Sequence, residues 1–159
     1  MTLDSTLINV IGSYGVFNMA FIMEFISDAT FPIIALSILP IILKDKRVAI
    51  NYFAAMITAS FFSLFFQELF ARPRPPTAFN IENSYSFPST HSTAVFAWAE
   101  FMGTKYRNYK IVFYAFAVLV AVSRVYIGVH YPTDVIAGAA LGFLIASVLK
   151  RADCRIPKR

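Results

Sequence analysis

Five apolar stretches, separated by polar connectors, constrain this chain more than any other feature. They cover residues 26–43, 48–70, 89–103, 111–127 and 131–149. A helix that crosses the hydrocarbon core of a bilayer needs about 20 apolar residues, and the stretches approach that length. Charge is concentrated between them, in Lys44-Asp45-Lys46-Arg47, residues 71–88 and residues 104–110. Hydrophobic residues make up 58% of the chain and charged ones 14%, against about 25% charged in soluble domains. Such a chain has too few polar groups to cover itself in water. The expected fold is all-α, one domain over residues 1–159 forming a polytopic transmembrane bundle of about five spans.

Residues 1–26 are apolar enough to span, but Gly12 and Gly15 interrupt them and no Lys or Arg holds a cytoplasmic end. They are expected to lie as a helix in the outer interface, with a sixth span as the alternative. The segment also lacks the basic start and cleavage site of a secretory signal. The single cysteine, Cys154, permits no internal disulfide.

Orientation follows from the tendency of Lys and Arg to stay on the cytoplasmic side. If the basic tail, residues 150–159, is cytoplasmic, alternation brings Lys44, Lys46, Arg47, Lys105, Arg107 and Lys110 to the same side. Of the 14 Lys and Arg residues, only Arg72, Arg74 and Arg124 then fall on the outer face. Charge sorted by membrane face in this way does not suggest a nucleic-acid partner. Three arginines gathered where basic residues are otherwise missing point to a shared anionic ligand.

Both histidines of the chain, His91 and His130, fall at the same outer level. His130 and Asp134 are four residues apart, so on a helix they share a face. The carboxylate can then orient the imidazole and leave its second nitrogen free, as a nucleophile or base requires. Arg124 closes the preceding stretch and offers forked donors that match phosphate oxygens. In Phe87-Pro88-Ser89-Thr90-His91, Pro88 suits a helix entrance. Ser89 or Thr90 can cap that helix, its free N–H groups form an anion site, and His91 can act as acid or base. The run Ala71-Arg72-Pro73-Arg74-Pro75-Pro76 holds two more arginines in an extended segment. The set describes a site for a dianionic phosphoryl group, with two histidines to supply a nucleophile and a proton donor. No Asp, Glu, Cys or His cluster has metal-ligand spacing. No metal or cofactor is therefore expected, and neutralisation falls to the arginines. A non-catalytic lipid-binding or transport protein, or an inactive scaffold, stays open on these residues alone. A transport pathway would place its charges mid-span, whereas these lie at helix ends.

The three motifs resemble those of the type 2 phosphatidic acid phosphatases, which include membrane lipid phosphatases, soluble acid phosphatases and vanadium haloperoxidases. Ser123, Arg124, His130 and Asp134 match the family's Ser-Arg-x5-His-x3-Asp in full. Pro88, Ser89 and His91 match its Pro-Ser-Gly-His, with Thr90 in place of Gly. Arg74 and Pro75 match its Lys-x6-Arg-Pro, with Gln67 in place of Lys. The resemblance implies that His130 attacks phosphorus and becomes phosphorylated, that Asp134 orients it, and that His91 protonates the leaving oxygen and then activates water. It implies that Arg74, Arg124, Ser89 and the backbone near Thr90 hold the phosphoryl oxygens, with Arg72 available to replace the charge missing at Gln67. The partner implied is a lipid phosphate, met from the membrane by a site facing the periplasm across a bacterial inner membrane. The short length leans towards a lipid A 1-phosphatase. Undecaprenyl pyrophosphate or phosphatidylglycerophosphate as substrate, and phosphotransfer to a lipid acceptor, share every motif.

Four further residues are expected to serve structure. Gly138 and Gly142 form a small-xxx-small step for close helix packing. Trp98 should pack or anchor, and Glu100 should be solvated near the inner surface. Glu68 can either pair with Arg72 or Arg74 or face the interface.

Overall fold

A computed structural model describes residues 17–76 and 84–151 of the chain. Their regular structure is helical: α1 (Phe17–Asp28), α2 (Thr30–Ser37), α3 (Leu39–Lys44), α4 (Lys46–Phe70), α5 (Thr90–Lys105), a 3-10 turn (Arg107–Tyr109), α6 (Lys110–Tyr126) and α7 (Pro132–Arg151). Helices α1 to α3 form one interrupted run. Pro32 and Pro40 lack the N–H that would bond to the carbonyl four residues back, and the helix breaks nearby, at Ala29 and Ile38. The described part of this run reaches back to Phe17, so residues 17–26 are helical and continue into the first long run. Residues 1–16, with Gly12 and Gly15, lie outside the described residues, as does Cys154.

Among the described residues, four helical segments are long and apolar enough to cross a membrane: Met19–Lys44, Lys46–Phe70, Arg107–Tyr126 and Pro132–Lys150. Helix α5, with 16 residues, is shorter. It packs against α4, α6 and α7, and residues from Ser92 to Gly103 line the core from it. The outer surfaces of the other helices are apolar, with Phe21, Leu43, Ile111 and Val148 all exposed. That pattern inverts a water-soluble surface and suits lipid.

Asp45 separates α3 from α4. Its extended backbone ends one helix, and its carboxylate caps the next by accepting from the N–H groups of Arg47 at 3.0 Å and Val48 at 3.3 Å. Replacing a capping Asp by Ala costs about 1 kcal/mol. Asp45→Ala is therefore expected to lower the detergent-solubilised protein's stability by that amount and leave turnover unchanged. A thermal scan paired with an activity assay checks both halves. At its other end α4 stops at Ala71, whose left-handed backbone (φ 44°) lets its N–H reach the Gln67 carbonyl at 2.9 Å. Pro73, Pro75 and Pro76 prevent the helix from resuming.

The glycine step of α7 sits directly on α5. A Cβ at Gly138 would come within 2.6 Å of the Ser89 carbonyl oxygen, and one at Gly142 within 2.1 Å of the Thr93 carbonyl oxygen. Only hydrogen fits at either point, and the resulting contact fixes Asp134 on α7 against the start of α5.

The end of the bundle expected to face inward differs from expectation. Glu100 is not solvated but 1% exposed. Its carboxylate accepts from Lys150 Nζ and from Tyr114 OH, with Ser147 Oγ at 3.4 Å. Lys150 accordingly belongs to the last turn of α7 rather than to a free basic tail; residues 152–159 lie outside the described residues. Because a lone carboxylate in lipid is expensive, the ammonium and phenol that meet Glu100 tie α5, α6 and α7 together. Trp98 packs edge-on against Phe113 and Phe116 and donates to Ser37 Oγ at 2.9 Å.

Candidate active site

Opposite the Glu100 end, four chain segments converge: the end of α4 with residues 71–76, the residues before α5, the α6–α7 connection, and α1. His130 lies in the connection, 1% exposed. Its Nδ1 is 2.8 Å from the Ser86 carbonyl oxygen. A carbonyl only accepts, so Nδ1 carries the proton and Nε2 holds the lone pair. Nε2 faces Arg74 Nη1 at 3.2 Å. Burial pushes the His130 imidazole below its usual pKa of 6.5; Asp134 opposes this, and the charges of Arg124 and Arg74 add to it.

Asp134 is fully buried and faces His130 Nδ1 at 3.6 Å. The nearest acceptor of that proton is thus the Ser86 carbonyl. Nothing in the sequence signalled Ser86, because a backbone carbonyl has no motif; the segment is placed by Ser86 N–H donating to the Arg72 carbonyl at 2.9 Å and Ser86 Oγ donating to the Pro73 carbonyl at 3.2 Å. The Asp134 carboxylate organises the connection as a whole. It accepts from Tyr131 N–H at 2.9 Å and from Arg72 Nη1 at 2.6 Å.

The arginines take different stations. Arg72 bonds to Asp134, donates to Thr133 Oγ1 at 2.7 Å and stacks over the Tyr131 ring at 4.0 Å. Its place is against Oδ1 of the carboxylate, the oxygen other than the one that faces His130. Arg74 donates to Ser84 Oγ at 2.7 Å, to the Ser84 carbonyl at 2.9 Å and to the Val129 carbonyl at 2.9 Å, which aims Nη1 at His130. Arg124, 3% exposed, reaches back to α1 and donates to Ser27 Oγ at 2.6 Å. Glu68 is exposed at the end of α4.

Ser89 is the N-cap of α5, and its N–H donates to the Asp134 carbonyl at 3.0 Å. His91 in the first turn lies within electrostatic reach of Arg124, His130 and Arg74. Gln67 and Thr90 meet one another: Gln67 Nε2 donates to Thr90 Oγ1 and to the Pro88 carbonyl, both at 2.9 Å. Ser63 Oγ donates to the same Thr90 oxygen at 3.0 Å. The two positions that depart from the motif pattern are therefore one contact, which pins the start of α5 to α4. Gln67→Ala and Thr90→Val are each expected to cost about 1 kcal/mol. The double variant should cost less than the sum, since they share the bond. Additive losses in unfolding measurements would show that the contact carries no energy.

Among the described residues, no group of three or more His, Cys, Asp or Glu is assembled that could hold a metal ion. The positive charge around His130 Nε2 comes from Arg74 and Arg124.

Three comparisons place this arrangement among known proteins. A lipid A 1-phosphatase of Rhizobium etli is 41% identical over 71 residues, which is 43% of this chain and 31% of that protein. Phosphatidylglycerophosphatase B of Bacillus subtilis is 36% identical over 104 residues, 58% of this chain and 51% of that protein. The chain thus matches between about a third and a half of the length of these two relatives. The crystal structure of a transmembrane PAP2-type phosphatidylglycerolphosphate phosphatase from Bacillus subtilis superposes with a TM-score of 0.83 at 25% identity, covering 98% of this chain and 86% of that one. Residues 48–154, which hold all three motifs, match the PAP2 superfamily profile, and the chain belongs to that superfamily.

Proposed function

We propose that this protein is a membrane lipid phosphatase that works through a phosphohistidine on His130 without a metal ion. One observation carries the reading: Nδ1–H is committed to the Ser86 carbonyl, which leaves the Nε2 lone pair beside the Arg74 guanidinium. An anionic phosphoryl group drawn to Arg74 and Arg124 would meet that lone pair first.

In the first step Nε2 attacks phosphorus. The P–O bond to the lipid breaks, and the leaving oxygen takes a proton from His91. In the second, His91 takes a proton from water, the hydroxide attacks phosphorus, and the N–P bond returns its pair to Nε2. Arg74 and Arg124 neutralise charge on the equatorial oxygens, and the α5 N-terminus contributes N–H donors. Asp134 holds the connection that carries His130 and faces the developing positive charge on the ring.

In this reading α5 is a fifth span, shortened because its ends lie under the site and the inner connections. The site opens on the periplasmic side of a bacterial inner membrane, and Lys44, Lys46, Arg47 and Lys105 stay in the cytoplasm. Lipid A 1-phosphate is the favoured substrate, supported by the Rhizobium relative. Phosphatidylglycerophosphate is the second reading, supported by the length-wide structural likeness to the Bacillus phosphatase.

Purified protein in detergent with EDTA is expected to release phosphate from at least one of lipid A 1-phosphate, phosphatidylglycerophosphate, undecaprenyl pyrophosphate and phosphatidic acid. The relative kcat/KM values rank the substrates. No release from any of the four, or release that stops on chelation, overturns the proposal. Since burial lowers the His130 pKa, its imidazole stays neutral to lower pH than a free one, and the acid limb of kcat/KM belongs below pH 6.5. A limb at or above that value would mean that His130 is not the group whose deprotonation is being followed.

A further inference from the structure

The residues that hold the two ends of this machinery do not all lie within the family match, which begins at residue 48. Helices α1 and α2 come before it, and they reach the site. Ser27, fully buried, accepts from Arg124 Nη1 at 2.6 Å. Phe31 sets its ring edge-on to the His91 imidazole, with centroids 4.7 Å apart and planes at 60°. The two are four residues apart and share a face with Thr30 and Ile34, both buried. Ser27 lies seventeen residues from Lys44, about 25 Å along a helix, which brings it level with the site.

We propose that this first helical run forms a wall of the active site: Ser27 is a positioning residue for Arg124, and Phe31 determines which leaving groups His91 can serve. The inference rests on the phosphatase reading above. Ser27 Oγ fixes one arm of a buried fork and so sets the angle at which the other donors of Arg124 face a phosphoryl group. Phe31 acts on the opposite partner. The oxygen that His91 protonates belongs to the departing lipid, so the departing group lies beside the His91 ring. Phe31 already touches that ring, and 43% of its surface is open. An apolar glycerolipid or polyisoprenyl chain leaving past His91 would run along it, whereas a small aromatic alcohol would not need it.

The experiment compares wild type, Ser27→Ala, Ser27→Thr, Phe31→Ala and Phe31→Leu on dioleoyl phosphatidic acid micelles and on para-nitrophenyl phosphate, with inorganic phosphate as inhibitor. Ser27→Ala is expected to raise KM and the inhibition constant of phosphate about tenfold, the size of a lost bond to a charged group, with kcat within twofold. Ser27→Thr, which keeps the hydroxyl, should recover most of that loss. Phe31→Ala should lower kcat/KM about tenfold on the lipid and less than twofold on para-nitrophenyl phosphate, with Phe31→Leu in between. An unchanged phosphate constant in Ser27→Ala, or equal losses on both substrates in Phe31→Ala, overturns the assignment. A wild type that hydrolyses neither substrate nor the lipid panel above instead removes the phosphatase reading beneath it.

Discussion

His130→Ala is expected to reduce phosphate release by about 10⁴-fold or more, the scale on which losing a covalent nucleophile acts. The reason is geometric. His130 Nε2 is 3.2 Å from Arg74 and its other nitrogen is spent on Ser86, so the lone pair is fixed in direction before substrate arrives. His91 meets the Phe31 ring edge-on, and in this reading it serves the leaving oxygen and does not replace the nucleophile. A second readout separates chemistry from folding. Wild-type protein quenched in alkali during turnover should carry a phosphate that survives base and is lost in acid, as a phosphorus–nitrogen bond is. His130→Ala should carry none, while its elution in size-exclusion chromatography and its unfolding temperature stay close to wild type. A labelled His130→Ala protein, or one that keeps its turnover, rules out the phosphohistidine.

Gly142→Ala should cause the largest loss of stability. The added Cβ would stand 2.1 Å from the Thr93 carbonyl oxygen and 2.9 Å from the Ala97 nitrogen. Both are backbone atoms in the buried middle of α5, so neither can swing aside and the helices must separate. Overpacking of this kind costs about 3 kcal/mol. It would also cost activity, because α5 carries Ser89 and His91 and α7 carries Asp134. Gly103→Ala is the control. There the new Cβ meets the Lys110 side chain at 2.9 Å, a flexible stem that can move, so the change should stay within about 0.5 kcal/mol. Similar losses for the two variants in a detergent melting series would mean that the α5–α7 contact is not what limits close approach.

The sequence disclosed what is local. His130 and Asp134 lie four residues apart, and that spacing alone predicted the face they share. The glycine step of α7 was equally readable, because small residues at that interval have few other uses in a lipid-facing helix. Residues whose meaning depends on distant partners were not readable. Ser86 serves His130 through a carbonyl, which every residue has. Ser27 is 97 positions from Arg124, and a lone serine in an apolar stretch carries no signal. Gln67 and Thr90 looked like two separate departures from a pattern because their hydrogen bond spans 23 positions. Glu100 was misread for the same reason: its ammonium partner sits in what composition marks as a basic tail. Glycines at 12 and 15 argued against a continuous span before residue 26, although residues 17–26 join the first long helical run.

The Glu100–Lys150 contact also bears on how the bundle is made. The carboxylate is encoded 50 positions before the ammonium that answers it. During synthesis α5 and α6 leave the ribosome first, and Glu100 has to wait in the membrane, or at its aqueous edge, until the last turn of α7 emerges. Helices inserted one by one therefore do not amount to a finished bundle. Assembly is sealed from the carboxyl-terminal side: until Lys150 is made, Glu100 has the Tyr114 hydroxyl as a donor but no opposite charge.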